Sequence, residues 1–117
     1  MQDALDAPTL ASLRRLDPTG QSQLVRRVLS AFHLSLERLR QQLAHEAAAA
    51  NLAQVRLTAH TLKSSSASIG ALRLSGLCAA LERAIHLGQS DGLPGLLCEL
   101  SLEIECVDAA VLEHLAN

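Results

Sequence analysis

Apolar residues recur in alternating steps of four and three along four separate stretches of this chain, and that spacing restricts it to packed helices. From about residue 21 to 49 the seam runs through Val25, Leu29, Phe32, Leu36, Leu39 and Leu43. From about 93 to 115 it repeats through Leu93, Leu97, Leu100, Ile104, Val107 and Val111. Between them, Leu52, Val55, Ala59, Leu62, Ser66 and Ile69 follow the spacing more weakly, and Leu74, Cys78, Leu81 and Ile85 form another seam. A repeat of this kind keeps one face of each helix against its neighbours. DPTG at 17 to 20, the alanine run ending at Asn51, IGA at 69 to 71 and GQSDGLPG at 88 to 95 separate the stretches. Four seams on short connections predict an all-α protein, an antiparallel up-down-up-down four-helix bundle. A short extra N-terminal helix is expected over 9 to 16 as a lid, with Thr9 as its N-cap and Leu10, Leu13 and Leu16 on one side.

The 117 residues suffice for one domain, expected over 1 to 117, with a modest core. Half the chain is hydrophobic (49%), yet it has one Phe and neither Tyr nor Trp, so Leu, Ala, Val and Ile must fill that core. The formal charge of -2 supplies no general electrostatic reason to bind nucleic acid or an anionic membrane. No basic-then-apolar leader opens the sequence, and no apolar run reaches the roughly 18 residues that span a bilayer. A cytoplasmic protein without direct membrane insertion is expected. Cys78, Cys98 and Cys106 show no C-x-x-C spacing and read as buried small apolar groups, which suits a reducing cytosol.

One imidazole stands apart. On a helical wheel of residues 52 to 69, His60 points roughly 130° away from the centre of the seam, outward from the bundle. Arg56, Leu57, Lys63, Ser64 and Ala67 share its face. Ser64 and Ala67 are small and leave the ring open to an approaching molecule, while Leu57 puts an apolar group where solvent is expected. A neutral imidazole is a nucleophile near pH 7, and a lysine one turn away can offset charge on a phosphoryl group attached to it. Taken singly, a lone histidine and a lysine are also ordinary surface residues.

The run AHTLKSSSASIGALRLSGLCAALE, residues 59 to 82, resembles the signature of histidine-containing phosphotransfer (HPt) domains of multistep phosphorelays. It has a histidine, a lysine at +3, small residues after it, a glycine at +10, then leucines, a cysteine and a terminal acidic or amide residue. The resemblance implies that His60 is the phosphoacceptor, that Lys63 stabilises the phosphohistidine electrostatically, and that Gly70 permits a tight corner between helices. Arg56, Leu57, Ser64 and Ala67 then become the partner-binding surface. Ser64 departs from the glycine usual directly after the lysine.

No Asp or Glu lies within a helical turn of His60 in sequence, so the chain is expected to hold no Mg²⁺ or other cofactor of its own. The resemblance implies that receiver domains, of a hybrid sensor kinase or a response regulator, bring the aspartate and the Mg²⁺. The chain would then be a carrier without turnover of its own. A non-catalytic interaction bundle, with His60 a mere surface contact, is the alternative from another class. A metal-dependent bundle enzyme is a third, resting on Glu82 and His86 four residues apart, but paired E-x-x-H motifs are absent. The remaining histidines, the arginine runs and Glu103, Glu105 and Asp108 read as solvated helix faces.

Overall fold

A computed structural model describes residues 4–21 and 23–116. The domain expected over 1–117 also takes in residues 1–3, 22 and 117, which lie outside the described residues. Five helices follow one another: α1 Ala7–Arg15, α2 Leu24–Ala48, α3 Leu52–Ser68, α4 Leu72–His86 and α5 Leu93–Ala116. Among the described residues there is no strand. The last four pack in a ring, α2 on α3, α3 on α4, α4 on α5 and α5 back on α2. The start of α2 meets the end of α5, where the Arg26 guanidinium donates to the Leu115 carbonyl at 2.8 Å. The protein is therefore the expected antiparallel four-helix bundle with a short N-terminal helix.

The seams form one buried cluster. Leu29, Leu36, Leu62, Leu74, Leu81, Leu100, Ile104, Val107 and Val111 are almost wholly enclosed, and Phe32 is the sole aromatic among them. Val25, Leu97 and Ile85 are only partly buried at its ends. Leu52, the first residue of α3, is exposed. No helix among the described residues is long and apolar enough to cross a membrane.

Caps and corners differ from the sequence reading in instructive places. Asp6, not Thr9, caps α1: its carboxylate accepts from the Thr9 amide at 3.1 Å and the Thr9 hydroxyl at 2.7 Å. Leu10 is buried and Leu13 packs against the core, but Leu16, just past the helix, lies in solvent. The amide of Leu24 at the head of α2 is capped from the preceding loop by Asp17 at 3.2 Å. Ala50 ends α2 in the left-handed region at φ 54, a conformation usually given to glycine. Asn51 then caps α3 through the Gln54 amide.

Gly70 makes the α3–α4 corner at φ 83. A Cβ there would lie 2.9 Å from the Cβ atoms of Asp6 and Thr9. The Gly70 carbonyl also accepts from the Asp6 amide at 2.7 Å. Glycine is thus required twice, by the backbone and by the N-terminal segment pressed onto the corner. The short N-terminal helix is held at this corner as well as on α2.

Candidate functional site

α3 carries His60 on its outer face and is fixed from both sides. Toward α2, Thr58 donates its hydroxyl to the Glu46 carboxylate at 2.8 Å. Toward α4, the Ser75 hydroxyl donates to the Lys63 carbonyl at 3.0 Å. Ala59 and Leu62, flanking His60 in sequence, are fully buried, so the backbone beneath the imidazole is anchored in the core. The ring itself stands out, its side chain 60% exposed.

Contrary to the sequence expectation, a carboxylate sits directly beside this histidine. It comes from α4: Glu82 Oε1 is 2.7 Å from His60 Nδ1, and Glu82 Oε2 is 2.7 Å from Lys63 Nζ. A carboxylate only accepts, so Nδ1 carries the proton of the bridge. The Lys63 hydrogen bond is the main cause that holds the Glu82 carboxyl below the usual carboxylate range; burial opposes it, and the hydrogen bond to His60 adds to the lowering. Nε2 makes no hydrogen bond among the described residues and keeps its lone pair toward solvent.

The remaining sequence-derived residues are on the same surface. Leu57, 56% exposed, Arg56, Ser64 and Ala67 all face solvent on α3. The Ser64 hydroxyl turns back on the helix, 3.5 Å from the His60 carbonyl. Lys63 is half-buried and committed to Glu82. Gly70 lies at the far end of α3, away from the ring, and shapes the corner. A groove of about 350 Å³ opens beside the bridge, lined by Arg56, Lys63, Ala79, Glu82, Arg83 and His86. Glu82 and His86, read in sequence as half of a metal site, share this groove, but Glu82 is taken by His60 and Lys63. Among the described residues no group of three or more His, Cys, Asp or Glu side chains is placed to hold a metal ion.

Elsewhere several assignments change. Cys78 is buried as expected, and burial pushes its thiol up to about 12, but Cys98 and Cys106 are exposed on α5. Glu103 and Asp108 are not solvated: the former meets Arg73 Nε at 3.3 Å, the latter His33 Nδ1 at 2.6 Å. Both pairs cross between helices, which periodicity within one helix cannot reveal.

A family model for the Hpt domain matches residues 24–110. That match takes in α2, α3, α4 and most of α5, and leaves α1 outside it. Comparison with curated proteins finds no match. Among solved structures, the crystal structure of histidine-containing phosphotransfer protein B (HptB) from Pseudomonas aeruginosa PAO1 is similar, with a TM-score of 0.86 and 26% identity. The likeness covers 99% of this chain and 97% of that chain.

Proposed function

The chain belongs to the Hpt domain family of phosphorelay carriers, and from that premise we propose that His60 is the atom-bearing site of the carrier, accepting a phosphoryl group on Nε2 and passing it on. The observation that carries this reading is the bridge to Glu82. It keeps the proton on Nδ1, leaving Nε2 as the nucleophilic nitrogen, and fixes the ring on a buried helical base.

The chemistry follows from that arrangement. The Nε2 lone pair attacks the phosphorus of an aspartyl phosphate; the N–P bond forms as the P–O bond to the aspartyl carboxylate breaks, and the carboxylate departs with the electron pair. Positive charge grows on the ring as Nε2 gives up its pair. Glu82, ionised at 2.7 Å from Nδ1, stabilises it, as a carboxylate does for any histidine that turns cationic in a reaction. Lys63, on the same carboxylate, is placed to turn toward the phosphoryl oxygens. The reverse step returns the group to a second aspartate.

The partners in this proposal are receiver domains of a hybrid sensor kinase or a response regulator, which bring the acceptor or donor aspartate and its Mg²⁺. This chain contributes a fixed imidazole, the small surface around it and the apolar Leu57. It completes no reaction without the partner, works as one module, and acts in the cytoplasm.

The test is transfer from a phosphorylated receiver in the presence of Mg²⁺. Label that is acid-labile and alkali-stable, and lost in His60→Gln, supports the assignment. Label retained in His60→Gln moves the site elsewhere; no label with any receiver of a broad panel favours an interaction bundle.

A further inference from the structure

Helix α5 is apolar on its outer face as well as its inner one. Cys98, Leu102, Cys106 and Ala109 follow steps of four, four and three along the side turned away from the core, and all are exposed; Leu102 shows 59% of its surface. The outer side of a surface helix is ordinarily polar, so an apolar stripe there leaves surface that a partner would cover. The stripe runs for about three turns, on the order of 16 Å, long enough to seat another helix.

Charge around the stripe is of one sign. α5 carries Glu99, Glu103, Glu105, Asp108 and Glu113 and neither Lys nor Arg. Glu103 and Asp108 are taken by Arg73 and His33 at the seams with α4 and α2. Glu99 and Glu105 are exposed on the two sides of the stripe, and Glu113 at its end. A second copy of this chain fits poorly: antiparallel pairing centred on Leu102 would gather Glu99 of both copies on one side of the contact and Glu105 of both on the other, and like charges gathered in this way disfavour that pairing. A helix with an apolar ridge flanked by Lys or Arg meets both requirements.

We infer that the outer face of α5, centred on Leu102 between Cys98 and Cys106, docks a basic amphipathic helix of a protein partner. α5 packs on α4 and α2, diagonally across the bundle from α3. The partner therefore binds while His60 remains open, so the surface serves tethering or scaffolding rather than phosphotransfer. This inference does not depend on the role of His60.

Two synthetic helical peptides with the same leucine ridge, one flanked by lysines and the other by glutamates, test it by fluorescence anisotropy. The lysine peptide is expected to bind at least about tenfold more tightly, with the preference falling as salt rises. Leu102→Asp is expected to remove that binding, whereas Leu34→Asp, at an equally exposed leucine on α2, leaves it intact. Maleimide labelling of Cys98 and Cys106 should slow when the lysine peptide is bound. Equal binding of both peptides, unchanged binding by Leu102→Asp, or unprotected thiols in the complex overturns the proposal. Concentration-dependent dimerisation that protects the thiols without peptide also overturns it, in favour of self-association.

Discussion

Glu82 and His60 are 22 residues apart in sequence and 2.7 Å apart in space, carboxylate oxygen to Nδ1. The contact exists because α3 and α4 are antiparallel about the Gly70 corner, which brings the third turn of α4 level with the middle of α3. Lys63 closes the bridge from one turn further along α3.

Removing the carboxylate releases the ring. In Glu82→Ala the ¹⁵N spectrum of His60 is expected to shift from the Nδ1–H tautomer toward a mixture, and phosphotransfer to slow by about tenfold to a hundredfold, the usual cost of losing a partner that orients a histidine. Glu82→Gln, whose amide oxygen still accepts from Nδ1, should keep most of the tautomer preference. An unchanged tautomer in Glu82→Ala would show that the bridge does not control it.

Lys63 and Glu82 are coupled, so their effects are not expected to add. Lys63→Ala leaves an unopposed carboxylate beside the phosphoryl group and should shorten the lifetime of the phosphohistidine. Adding Glu82→Gln to Lys63→Ala should recover part of that lifetime. A double variant whose loss equals the sum of the single ones would mean that the two side chains act separately.

Acid breaks the bridge at a pH set by Glu82. Its folded pKa is lowered, chiefly by Lys63, so the stabilisation is fully present above the ordinary glutamate value of about 4.3 and is lost as pH falls through the lower folded value. The side-chain resonances of Glu82 and Lys63 are expected to report an intact bridge at pH 5 and its loss only below the ordinary range. Loss of the bridge above that range contradicts the assigned direction.

Two left-handed positions predict opposite effects. Gly70→Ala forces a Cβ to 2.9 Å from Asp6 and Thr9 at φ 83 and should cost about 1–2 kcal/mol for the backbone conformation alone. Ala50→Gly relieves the same conformation at φ 54 and should gain up to about 1 kcal/mol. Urea denaturation measures both; equal stabilities for all three proteins would refute the account.

Ser66 is fully enclosed, and its hydroxyl has no hydrogen-bond partner among the described residues. Ser66→Ala deletes a buried polar atom without opening a large cavity, so it should be neutral or stabilising by about 1 kcal/mol. A clear loss of stability in the same denaturation experiment would reveal a partner for the hydroxyl.

What the sequence determined by itself was whatever depends on spacing within a helix. Leu36, Leu62, Leu81 and Ile104 lie inward because residues three and four apart share a face, and His60 lies outward for the same reason. Tertiary structure decided the rest, because it sets which faces meet and at what register. Only packing brings Glu82 to His60, Arg73 to Glu103 and His33 to Asp108; such pairs join different helices and leave no periodic trace.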